Sequence, residues 1–167
     1  MMPYSDIIRQ LLIDLALVTT ENSYVAFFPE EPDIALCVYD TDPRKDGRLM
    51  RSGEQIEHPG IQITIRGKAY VETWQFARDV ALQLDSVRRV SVALTSEGAY
   101  LVHNVSRSSG VLSLGMETVG SKRRHFFTIN ATLTVSEEDE EPEPEFMRMT
   151  LGGDVRVTEE GDFRIYG

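Results

Sequence analysis

The sequence predicts an α+β fold, a single domain with a mostly antiparallel sheet packed by two principal helices, plus a C-terminal β-meander extension. Three observations predict it. Ile61, Ile63 and Ile65 alternate with Gln62, Thr64 and Arg66, the period-2 pattern of a strand with one buried face. From Tyr70 the spacing changes to steps of four and three. Tyr70, Trp74, Ala77, Ala81 and Leu84 fall on one helical face, while Glu72, Thr73, Arg78, Asp79 and Gln83 fall largely elsewhere. Phe127, Ile129, Ala131, Leu133 and Val135 then alternate with Thr128, Asn130, Thr132 and Thr134, giving a long strand with one apolar and one hydroxyl-rich face.

The first element in order is an amphipathic helix from Ser5 to Val18. Ser5 is its expected N-cap, and Ile7, Ile8, Leu11, Leu12, Leu15 and Val18 lie opposite Asp6, Gln10 and Asp14. Tyr24–Phe28 and Ile34–Tyr39 read as strands separated by Pro29-Glu30-Glu31-Pro32, because proline donates no ladder hydrogen bond and restricts the residue before it. The polar stretch Asp40–Glu57 contains Pro43 and two glycines and reads as a loop, with Pro59-Gly60 as the turn that starts the strand at Ile61. Val90–Leu94 and Tyr100–Val105 read as strands across Ser96-Glu97-Gly98, followed by a Ser-rich turn from Ser106 to Gly110. The strand ending at Val135, rising ~3.4 Å per residue, reaches about 30 Å. It is long enough to project and pair with another subunit, or to serve as a central strand of its own sheet. Residues 1–136 therefore form the α+β domain. Residues 137–146 form an acidic loop whose first nine positions hold seven carboxylates, Glu138 and Glu140 among them. Residues 147–167 form the β extension, expected to dock on its own or a neighbouring subunit because an isolated hairpin is marginal in water.

Composition narrows the function. Hydrophobic content of 41% and charged content of 26% suit a globular protein, and 167 residues suffice for one domain but are cramped for two. The formal net charge of −10 argues against a dominant nucleic-acid-binding surface or adhesion to anionic membranes. Arg44-Lys45, Arg88-Arg89 and Lys122-Arg123-Arg124 read as short solvated basic turns. With no apolar run near ~20 residues and no signal-like N-terminus, a soluble intracellular protein is expected. Cys37, the single cysteine, sits in an apolar run and reads as a small buried strand residue. His58, His103 and His125 are isolated, without zinc-ligand spacing. No Gly-x-Ser-x-Gly elbow, P-loop or dinucleotide fingerprint occurs, and the acidic run lacks the spaced ligands and bend glycine of a calcium loop. No catalytic, cofactor-binding or metal-binding residue is therefore expected. Asn104-Val105-Ser106 and Asn130-Ala131-Thr132 match the glycosylation pattern by chance.

The order of these pieces carries a resemblance. A strand beginning Pro59-Gly60-Ile61-Gln62-Ile63 and ending in Arg66, a helix led by Tyr70, an opening helix from Ser5 to Val18, and Leu114-Gly115-Met116-Glu117 before the strand His125–Val135 together resemble the minor capsid and tail-terminator proteins of long-tailed bacteriophages, over roughly the first 135 residues. The resemblance implies a structural virion protein at the head-tail interface. It would be a subunit of a closed ring, usually a hexamer, that caps the tail tube, stops its polymerisation and offers a docking surface to the head-completion or connector protein. The implied partners are further copies of itself, the tail tube protein, the head connector and duplex DNA passing through the lumen without specific binding, with no membrane. A ring of six would carry about −60 formal charges, helping a duplex slide rather than adhere. Candidate interaction residues are Arg44, Lys45, Arg48 and Arg51 in the polar stretch, Thr128, Asn130 and Thr132 on the long strand, Glu138 and Glu140 in the acidic loop, and Phe163 and Tyr166 in the meander. The alternatives are a head-completion or connector protein of the neck, and a small non-phage binding module or enzyme.

Overall fold

The computed structural model describes residues 3–48, 55–94, 98–137, 154–157 and 163–166, and begins with helix α1 (Tyr4–Asp14). Ile7, Ile8, Leu11 and Leu12 of the expected stripe are fully buried. Both ends differ from expectation. Ser5 lies inside the helix, with Pro3 at the N-cap position and no side-chain cap bond. The end is satisfied from elsewhere: Asp40 Oδ1 accepts the Ser5 backbone N–H at 2.9 Å, and Asp40 Oδ2 accepts the Ser5 hydroxyl at 2.6 Å. A carboxylate delivered by a distant strand thus replaces a local cap at the positive end of the helix dipole. The helix stops at Asp14, four residues before Val18. The Ala16 N–H donates to Ile13 O and the Leu17 N–H to Leu12 O, and Ala16 takes φ 56°. This is a left-handed C-terminal closure that glycine normally supplies.

Strand β1 (Ser23–Val25) runs parallel to β2 (Ala35–Arg48), which pairs antiparallel with β3 (Gln55–Gly67). The first strand is therefore shorter than Tyr24–Phe28, and most of the stretch expected as a loop is a long hairpin. Pro43 is accommodated because the register shifts between Thr41 and Arg44, which takes it out of the ladder. A second shift follows between Lys45 and Arg48. These shifts erase the alternation that would have marked the strand. Pro59-Gly60 lies inside β3, where Gly60 stands opposite Thr41 at the first shift. A Cβ on Gly60 would lie 2.7 Å from the Asp42 carbonyl oxygen, so only glycine lets the two backbones approach.

Helix α2 (Tyr70–Ser86) follows, then β4 (Arg88–Leu94), β5 (Gly98–Arg107), β6 (Leu112–Val119) and β7 (Lys122–Glu137). The strand order is β1-β2-β3-β7-β5-β4, with β6 also on β7. β7 is a central strand. One edge takes β3, and the other takes β6 along Lys122–Thr128 and β5 along Ala131–Glu137. The core-facing stripe of α2 is Thr73, Ala77, Val80, Ala81 and Leu84, with Tyr70 half exposed and Trp74 at the rim. This rotates the expected face toward Thr73, whose hydroxyl donates to Ala69 O at 2.6 Å and packs where Gly67 lacks a side chain.

The apolar residues of α1 and α2 share one buried cluster with Leu36, Val38, Ile61, Ile63, Ile65, Phe127, Ile129 and Leu133. Each such side chain contributes about 1.5–3 kcal/mol. A one-residue slip of β7 would turn its apolar set away from the helices, so burial fixes the register. β8 (Asp154–Val157) and β9 (Phe163–Tyr166) form a separate antiparallel pair. The remainder of the expected meander, Met147–Leu151 included, lies outside the described residues.

Two substitutions test this account. Ala16→Gly is expected to stabilise the protein by about 1 kcal/mol in urea unfolding, by relieving the left-handed alanine. Gly60→Ala is expected to cost about 1–3 kcal/mol, because the Asp42 backbone must move.

Candidate functional site

The polar face of the sheet, opposite the helices, is built by register. Arg66, Thr64 and Gln62 stand opposite Phe126, Thr128 and Asn130. The segment 26–34, between β1 and β2, crosses this face as a strap. Its backbone is held by Arg66, which is 4% exposed: Nη1 donates to Pro29 O at 2.7 Å and Nη2 to Glu30 O at 3.2 Å and Pro32 O at 2.5 Å. The guanidinium also lies 4.5 Å from the Phe28 ring centroid, and Phe28 meets Phe126 edge-on at 6.1 Å. Burying a lone cation costs several kcal/mol. Three carbonyl dipoles and an aromatic face offset that cost, so the arginine holds the strap as firmly as the strap holds the arginine. Burial, then the nearby Arg124 charge, pulls the Arg66 pKa down, yet an arginine stays charged.

Ion pairs close the strap's end. Asp33 accepts from Arg124 Nη2 at 2.7 Å and Nε at 3.0 Å, and pairs with Lys68 Nζ at 2.7 Å; Lys122 bonds Glu31. The Lys68 and Arg124 hydrogen bonds hold the Asp33 carboxyl down at about 2, and the Glu31 bond raises the Lys122 pKa. The Lys122-Arg123-Arg124 turn expected to be solvated is thus partly structural, with Arg124 3% exposed. Beneath the strap Cys37 is buried as expected. Its thiol contacts Phe27 O at 3.3 Å, and burial pushes its pKa up.

The residues expected to carry interactions do not converge. Arg44, Lys45 and Arg48 lie on the outer part of β2, opposite His58, Glu57 and Gln55. Thr128 is buried and its hydroxyl donates to Ile63 O, so its side chain is used inside the protomer. Thr132 donates to Ser106 O, and Asn130 O receives Ser108. Phe163 and Tyr166 stand opposite Val157 and Asp154. Arg51, Glu138 and Glu140 lie outside the described residues. Sequence reading missed Arg66, Asp33 and Arg124. The available signal was a cation ending an alternating strand beside a proline-rich segment whose carbonyls need donors.

A second polar feature is an open groove of about 500 Å³ lined by Asp85, Arg88, Asn104, Ser106, Arg107 and Gly110. Its Arg107 is held by both Asp85 oxygens, at 2.7 and 2.5 Å, which lowers the Asp85 pKa and ties α2 to β5. Among the described residues no group of three or more His, Cys, Asp or Glu could hold a metal ion, and no helix is long and apolar enough to cross a membrane.

These features define a mixed α+β protein, two helices on one face of a curled sheet and a charged strap on the other. A family model described as "Bacteriophage tail terminator protein" matches residues 11–135, from α1 to the end of the apolar alternation of β7. The chain belongs to the bacteriophage tail terminator family, a class of structural virion proteins. A solved structure is similar at 14% identity, covering 80% of this chain and 97% of the other, with a TM-score of 0.37. No curated protein matches this chain.

The strap predicts a pH signature. Because Asp33 titrates near 2 when folded, below its ordinary 3.8, its contribution is complete above about pH 4 and is lost as pH falls toward 2. Asp33→Asn is expected to destabilise the protein at pH 5 while leaving stability at pH 2 little changed. Urea midpoints at the two pH values for variant and wild type read this difference.

Proposed function

We propose that this protein is the ring subunit that caps the tail tube of a long-tailed phage, stops its polymerisation and presents the docking surface for the head-completion protein. The observation that carries the reading is the family match over residues 11–135, because that span contains the last turn of α1, all of α2 and the whole main sheet apart from the end of β7. The ring is a homo-oligomer, most simply a hexamer, with the tail tube protein on one side and the head connector on the other. Duplex DNA passes through the lumen without specific binding, which suits a chain of net charge −10. The outer part of the β2–β3 hairpin, carrying Arg44, Lys45 and Arg48, is the contact offered to the tube or connector. It extends past the last β3–β7 pair, Gly60 with Thr132, so there β3 pairs with β2 alone. The C-terminal β8–β9 pair, with Phe163 and Tyr166, supplies a further contact, since two short strands gain stability by docking.

The test is solution mass by light-scattering-coupled size exclusion, followed by electron microscopy with purified tail tubes. A ring of about six subunits, or end-binding to tubes, is expected. A monomer that leaves tube ends bare overturns the proposal, and copurification with the portal side moves the protein to the neck.

A further inference from the structure

Helix α2 carries a second apolar stripe that its own core does not use. Val71, Trp74, Arg78 and Leu82 recur at steps of three, four and four, turned away from the buried Val80 and Leu84, with Trp74 on the edge nearest the core. Val71 is 61% exposed and Leu82 53%, and the Arg78 guanidinium sits 5.6 Å from the Trp74 ring centroid. The stripe therefore pairs apolar surface with one cation. On the other side of the sheet the strap presents the converse. Phe27 is 68% and Ile34 54% exposed, and Glu30, between them, is exposed with no partner for its carboxylate among the described residues. Arg66 and the Asp33 ion pairs hold this strap in shape, so its exposed side chains are presented by a fixed backbone. On its inner side the strap instead presents Phe28 to the Arg66 guanidinium and the Phe27 carbonyl to the Cys37 thiol.

A closed ring of more than two copies is built from heterologous contacts, in which one patch of each chain meets a different, complementary patch on the next. Resting on the ring proposed above, we infer that the strap of one copy docks on the α2 stripe of the next. Phe27 and Ile34 meet Val71, Trp74 and Leu82, and Glu30 pairs with Arg78. The occupant is a second copy because the complement in apolar surface and in charge is present on this chain. The two patches lie on opposite faces of one sheet, so each contact leaves the other patch free for the following subunit. A tryptophan backed by an arginine, ringed by smaller apolar groups, is also the composition of an interface centre.

The full-length chain tests this by charge swap, with mass read by light scattering over a concentration series. Arg78→Glu and Glu30→Arg are each expected to weaken assembly at least about tenfold, and the two combined in one chain to restore it. Trp74→Ala is expected to weaken it about thirtyfold. All three positions are exposed, and an unchanged thermal melt of each variant shows that folding is intact. Single variants that keep the wild-type mass, or a double variant that fails to recover it, overturn the inference while leaving the ring intact. Variants that form rings but lose tube-end binding assign the stripe to the tube protein and overturn it as well. A wild-type chain that is monomeric alone and on tubes removes the ring reading and this interface with it.

Discussion

A buried guanidinium organises one whole side of this protein. Arg66 ends β3 on the face away from the helices, where an uncompensated charge would be untenable, and it is tolerated because segment 26–34 aims three backbone carbonyls at it. The bargain works both ways, since those carbonyls have no ladder to join and would otherwise need water. Once the strap is down, Phe28 packs on Phe126, the Cys37 thiol is covered, and Asp33 falls between Lys68 and Arg124. Removing the arginine would release all of these together.

The helical side obeys simpler rules, and it is where the sequence was most legible. The alternation of Ile61–Ile65 and Phe127–Leu133 identified two strands whose apolar residues are all in the core, and the repeat of Ile7, Ile8, Leu11 and Leu12 identified the helix above them. These signals survive because one-sided burial enforces a period. Where burial does not act, the period vanishes. The hairpin beyond Thr41 has two register shifts and a proline, so nothing in its residues distinguished it from a loop. The end of α1 was hidden for another reason: alanine, a good helix former, occupies the position where glycine would have announced the stop. The strap was illegible because its bonds use backbone carbonyls, which every residue has, and partners about 35 residues away.

A protein whose two sheet faces are closed by different means responds differently to solvent on each. The helical face is held mainly by apolar burial, which added salt and mild acid do not weaken. The strap is held by a cation inside, by the buried Arg124–Asp33 pair, and at its rim by the more exposed Lys68 and Lys122 pairs, which ionic strength weakens. High salt is therefore felt first on the strap side, before the helical core is touched.

The position of β7 has a consequence in time. It is the strand to which β3, β5 and β6 all attach, yet it is the last strand of the main sheet to leave the ribosome. Thr128 reaches back 65 residues to bond Ile63. Until residues 122–137 emerge, β3 has an open edge and the isoleucines beneath α1 lack the far wall of their core. The sheet closes late and by long-range contacts, which makes folding slow and leaves the nascent chain prone to pairing with others. Crowded synthesis of many copies at once is the condition in which that delay matters most.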